Sequence, residues 1–225
     1  MIDPGRDGSS HIVRRRTVTA GVMGMMLLVA SCTPVPRVGN TSAGNTTGGL
    51  PPEDQLLVPP GYGSLRQEEF TLTLRDGDVQ VKMTPLEEWV IRLAAPDTYD
   101  RLAALRSGHE AALRSSSSSS GSPRLFLVSF YSEQVGLGFH PEDLHVANLG
   151  RRHRPLAIRP MTPGWGTQRL GQRQVESAVY GYSGEVSLEA DLVSEYRGAR
   201  SDEWATILPD LLAEQARVRG STGTP

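Results

Sequence analysis

The stretch Leu125-Phe126-Leu127-Val128-Ser129-Phe130-Tyr131 is the strongest constraint on what this chain can fold into. Side chains along a strand alternate between two faces, so a short run that is apolar at both odd and even positions has to be covered from both sides. A strand at the centre of the core satisfies that. The surrounding sequence supplies partners for it. Phe70, Leu72 and Leu74 alternate with threonines, Asp76-Gly77 forms a turn, and Val79, Val81 and Met83 alternate again, which is the pattern of a β-hairpin with one buried face. Further strands are expected over 143–149, 155–159, 175–182 and 185–196, divided by Gly150, by the Pro160 to Gly166 stretch and by Ser183-Gly184. Short strands at this spacing predict a mainly β domain, an antiparallel β-sandwich of the immunoglobulin-like kind.

Two helices accompany the strands. Asp97 can cap one in which Tyr99, Leu102, Leu105 and Leu113 face inward and Gly108 is a weak point. The serines from Ser115 to Ser120, with Gly121 and Pro123, end it, and a mobile surface loop is expected over 114–123. Ser201 is placed to cap a last, amphipathic helix whose Trp204, Ile207, Leu208, Leu211 and Leu212 form an apolar stripe, with a kink expected at Pro209. One segment carries two signals. Thr84-Pro85-Leu86-Glu87 has the form of a helix start capped by Thr84, yet Trp89, Ile91 and Leu93 alternate like a strand.

At the amino terminus, Arg14, Arg15 and Arg16 stand directly before an apolar run from Val18 to Ala30, the order of an export signal. As a helix that run reaches only about 20 Å against a hydrocarbon core of about 30 Å, too short to span comfortably. It ends in Leu28-Val29-Ala30-Ser31-Cys32, and Cys32 is the only cysteine in the chain. This sequence resembles the lipobox of bacterial lipoproteins, in which an aliphatic residue and two small residues precede the cysteine that becomes the new amino terminus. The resemblance covers about the first thirty residues. It implies cleavage before Cys32, lipid attached to its thiol, and a firm hold on a membrane through two or three acyl chains. The expected location is the bacterial cell envelope, outside the cytoplasm.

The expected organisation is therefore a signal peptide over 1–31, a flexible tether over 32–67 and one sandwich domain over 68–219. The tether is built of Thr, Pro, Gly, Asn and Ser, with too little apolar surface to offset the entropy of ordering it. It would hold the domain roughly 30 to 35 Å from the membrane on average. With Cys32 lipidated no disulfide can form, and the core must hold by packing alone. The chain carries 23 basic and 25 acidic residues, and removing the signal leaves a net charge of about −4. A nucleic-acid binder needs clustered positive charge to displace counterions, and the mature part offers only Arg151-Arg152-His153-Arg154, read as a solvated turn between two strands. No nucleic-acid partner and no cofactor are expected.

The densest polar group is His140-Pro141-Glu142-Asp143-Leu144-His145, with His153 nearby. Pro141 breaks the helical spacing that a zinc site favours and no cysteine is at hand, so the expected role is a loop leading into a strand. Gly181-Tyr182-Ser183-Gly184 lacks the spacing and the strand-to-helix setting of a nucleophile elbow, and a turn is expected there. The acidic pairs Glu87-Glu88 and Asp202-Glu203 fit the first turns of helices. Trp165, in Pro163-Gly164-Trp165-Gly166, fits either a binding anchor on a loop or, more simply, a core filler. No catalytic or metal-ligating residue is legible. A non-enzymatic module that binds an envelope protein or polymer is the expected function, with an envelope hydrolase around His140 and His145 as the alternative.

Overall fold

In the computed structural model, which describes residues 57–116 and 122–222, strand β3 (Arg124–Ser132) lies at the centre of a five-stranded antiparallel sheet. The order is β1 (Leu72–Asp76), β2 (Val79–Pro85), β3, β9 (Gln174–Tyr182) and β7 (Ala157–Pro160). A second antiparallel sheet runs β11 (Ala199–Ser201), β10 (Leu192–Tyr196), β5 (Leu144–Asn148) and β6 (Arg151–His153), and β4 (Leu137–Gly138) pairs with β8 (Arg169–Leu170). Among the described residues the helices are α1 (Glu88–Ile91), α2 (Pro96–Ser116) and α3 (Trp204–Thr222). The domain is thus mostly β with antiparallel sheets and a few helices, an arrangement consistent with a sandwich.

Register explains why the run at 125–131 is apolar on both faces. Leu72, Met83, Val128 and Ala178 lie side by side across four strands, and Leu74, Val81 and Phe130 across three of them in the next row. These residues face the second sheet: the Phe130 ring centroid is 5.5 Å from that of Tyr196 on β10, and Tyr182 donates its phenol to the Leu144 carbonyl on β5 at 3.0 Å. The alternate positions, Leu125, Leu127 and Val179, point outward and are buried. Helix α2 lies over part of that face, placing Leu113 against Gly181, and Leu102 and Leu113 are fully buried while Tyr99 and Leu105 pack at the margin of the core. The expected hairpin forms with Leu72 opposite Met83 and Asp76 opposite Val79, and Gly77 takes the positive φ of +57° that the turn requires.

Several segments depart from expectation. At 84–87 neither signal prevails. Strand β2 continues through Thr84 and Pro85, which lie opposite Leu127 and Phe126, and one helical turn then begins at Glu88. The Thr84 hydroxyl does not cap; it contacts the Thr71 hydroxyl at 2.7 Å and accepts from the Gln67 amide at 3.0 Å. The run Arg151–His153 is edge strand β6, and the turn sits one step earlier, where Leu149 and Gly150 both have positive φ. Arg151 and Arg152 then reach Glu185 at 3.1 Å and Glu195 at 2.7 Å. The strand expected over 185–196 is confined to β10, because Asn148 binds the preceding turns with its side chain, to the Ser187 and Asp191 carbonyls at 2.9 and 2.8 Å and to the Ser187 N–H at 2.9 Å.

Packing also begins before Phe70. Val58 is buried, Leu65 makes a parallel bridge with Ala94, and Gly63 lies so close to the Leu93 backbone that a Cβ would collide with it. Residues 57–67 therefore pack with the domain; the rest of the tether expected over 32–67, and the signal peptide expected over 1–31, lie outside the described residues. A single bridge and a short 3-10 turn at Gln67–Phe70 leave no periodicity to read. Helix α2 starts at Pro96, so Asp97 sits inside its first turn, and it runs on through Ser115 and Ser116; the remainder of the expected loop, 117–121, lies outside the described residues. Ser201 closes β11 and its hydroxyl accepts the Glu203 N–H ahead of α3. Along α3, Trp204, Leu211, Glu214 and Val218 are buried, whereas Leu212 is 49% exposed and falls outside the stripe. The helix continues through Pro209, whose missing donor frees a carbonyl on the exposed Ala205 side, where water can serve it.

Candidate functional site

Cys32 lies outside the described residues. The three histidines singled out by the sequence are not brought to one place. His140 is exposed and donates its backbone N–H to the Tyr196 phenol oxygen at 3.0 Å. His145 is buried on β5, with Nδ1 at 2.8 Å from the Asp143 carbonyl and Nε2 without a hydrogen-bond partner. His153 pairs with Val146, the next position along β5, and so stands on the opposite face of the small sheet from His145. Among the described residues no group of three or more His, Cys, Asp or Glu is placed to hold a metal ion.

The other candidates have structural partners. Ser183 sits in the turn after β9, and its hydroxyl accepts the Glu185 N–H at 3.2 Å. Glu87 is buried against the Arg124 guanidinium at 2.7 Å, and Glu88 takes Arg92 at 2.6 Å and Arg106 at 3.1 Å. Glu203 accepts the Thr73 N–H on β1 at 2.7 Å, joining α3 to the large sheet. Trp165 is a core filler, its ring centroid 5.1 Å from Phe139, 5.7 Å from Phe130 and 6.2 Å from Tyr180. Beside it lies a carboxylate that the sequence did not single out. Glu176 is fully buried and is satisfied by neutral donors, the Thr162 hydroxyl and the Gln174 amide.

A groove of about 680 Å³ lies on the outward face of the large sheet, where α2 does not cover it. Its helical wall is Arg101, Ala104, Leu105, Gly108 and His109, one face of a helix at i, i+3, i+4, i+7 and i+8. Its floor is Leu127, Ser129, Ser177 and Met161, and Gln67 closes one end by accepting from the Arg101 guanidinium. Gly108 leaves the wall open, since a Cβ there would meet nothing within 4 Å. The Ser129 and Ser177 hydroxyls share a hydrogen bond of 2.9 Å on the floor. Met161 and Val175, 40% and 47% exposed, stand on the same face as Ser177.

Charge on this face is of one sign. The pairings put Arg75, Lys82 and Arg159 on the outward side of their strands, together with Thr73, Gln80, Thr84, Tyr131 and the floor residues; no strand contributes an Asp or Glu to it. Among the described residues Arg75, Lys82 and Arg101 have no carboxylate within ion-pair distance, whereas Arg92, Arg106, Arg124, Arg152 and Arg217 each hold one. The sequence hides this because the hairpin residues Arg75 and Lys82 are far along the chain from Arg101 and Arg159, and only the fold brings them to one face. The available signal was the polar outward half of the hairpin, Thr73, Arg75, Gln80 and Lys82, which lacks an acid.

No family model, curated protein or solved structure matches the chain. No helix among the described residues is long and apolar enough to cross a membrane.

Proposed function

We propose that the chain is the precursor of a bacterial lipoprotein, cut before Cys32 and held on a membrane of the cell envelope, outside the cytoplasm, by lipid on that cysteine. Its domain, from residue 57 onward, is a non-enzymatic binding module on a sandwich scaffold, for which the immunoglobulin-like arrangement is the working expectation. The observation that carries the anchor is the run Leu28-Val29-Ala30-Ser31-Cys32 behind an apolar segment and three arginines, with the chain's only cysteine in the lipid-bearing position. The binding role is supported by the groove beside α2 and by the uniform charge of the face around it. The hydrolase alternative has less support, because His140 and His145 have separate surroundings and neither is paired with a nucleophile.

The anchor is tested by Cys32→Ala in cells fed a fatty-acid analogue. Label on the wild-type chain and none on the variant is the expected result, since no other thiol can take up the lipid. Undiminished label on the variant would overturn the reading.

A further inference from the structure

We infer that the groove between α2 and the large sheet is a binding site for a small amphiphilic carboxylate, with the acid group against Arg101 and His109 and the hydrocarbon on Leu105, Leu127 and Met161. The volume of about 680 Å³ falls in the range of small-molecule sites, which are mostly apolar with a few placed polar groups. The polar groups here are selective in sign. The groove is lined by a guanidinium, an imidazole, two hydroxyls and an amide and by no carboxylate, and Lys82 stands beside Ser129 on the same face. In a chain whose net charge is −2, a sheet face drawn from five strands that carries Arg75, Lys82 and Arg159 and no carboxylate is a segregated one. A cation left without a carboxylate partner attracts an anion by the same charge-assisted hydrogen bonds that serve the paired arginines elsewhere.

Apolar surface decides the rest of the ligand. Leu127 is 8% exposed and Met161 40%, so the floor offers hydrocarbon contact next to the cations, and an inorganic anion would leave that surface wetted. Gly108 gives the space its depth. It sits in the interior of α2, where glycine is unfavourable relative to alanine, and it costs the helix stability while holding open the wall that faces Ser129 and Ser177. The site rests on the binding-module reading for its role, but it is scored on the groove and not on the anchor, so either can fail alone.

The test is calorimetric titration of decanoate, below its micelle concentration, into the full chain carrying Cys32→Ala. Decylammonium and vesicles of phosphatidylglycerol serve as the other arms. Decanoate should bind, decylammonium should bind at least about tenfold more weakly, and Arg101→Gln should weaken decanoate by about tenfold, the scale of a lost hydrogen bond to a charged group. Gly108→Leu should abolish binding while the melting temperature holds or rises, because leucine fills the groove and is the better helix former. Failure of the wild-type chain to bind decanoate would overturn the inference. So would equal binding of decylammonium, unchanged binding in both Arg101→Gln and Gly108→Leu, or binding to the vesicles alone, which would make the face an adsorbing surface for anionic lipid.

Discussion

Glu214 lies on α3 with its carboxylate turned toward the first described residues. The Ser64 N–H and hydroxyl both donate to Oε1 at 2.8 Å, and Arg217 donates to each oxygen at 2.6 Å. The Arg217 bonds hold the carboxyl down at about 2 from its ordinary 4.5, against the opposing pull of burial, and Ser64 adds to the lowering. A carboxyl depressed in the fold stabilises it fully above the unfolded value, and that contribution is lost as pH falls from about 4.5 toward about 2. Glu214→Gln removes the titration while keeping the shape. Wild type should therefore be the more stable at pH 7, and the gap between the two should close over the acid window in urea unfolding. A gap that stays constant down to pH 2 would show that the clamp between Ser64 and α3 contributes nothing through charge.

Elements were legible in proportion to the length of their periodic pattern. The central strand and the hairpin could be read because alternation over Leu72–Met83 and double-sided apolarity over Leu125–Tyr131 are local properties. What failed depended on partners distant in sequence. Residues 185–191 have strand-like composition, but Asn148 supplies their hydrogen bonds from another strand, and Pro85 sits in β2 opposite Phe126 despite its helix-start appearance. The groove was out of reach for the same reason, since its floor is assembled by the register of β3 on β9. Helix α3 was read from its stripe, and its anchor is Trp204, fully buried with Nε1 donating to the Leu188 carbonyl at 3.0 Å. Trp204→Ala should destabilise the domain by about 3–5 kcal/mol, combining the lost burial, the cavity and the orphaned carbonyl. Denaturant unfolding followed by far-UV circular dichroism measures this. A midpoint that barely moves would mean that α3 rests only loosely on the sheets.

At the scale of the molecule, the two sheets are tied by phenols as well as by apolar contact. Tyr182 and Tyr180, both on β9 of the large sheet, donate to the carbonyls of Leu144, at the start of β5, and of Pro141, just before it, each at 3.0 Å. Burial raises Tyr182 and raises Tyr180 well above the ordinary tyrosine value of 10, with the neighbouring Tyr182 adding to the shift of Tyr180; burial also raises Tyr196. For such a group the stability is fully present below the unfolded value, because both states are then protonated. Above about pH 10 the unfolded chain releases a proton that the folded one keeps, so stability declines as pH rises. Each buried tyrosine contributes roughly 1 kcal/mol of loss per pH unit in that range. Tyr182→Phe separates the two roles of the phenol: near neutral pH it should cost about 1 kcal/mol for the missing hydrogen bond, while above pH 10 its stability should fall less steeply than that of wild type. Urea midpoints at pH 8, 10 and 11 give both numbers, and parallel decline of the two proteins from pH 10 to 11 would show that the Tyr182 proton is not held by the junction between the sheets.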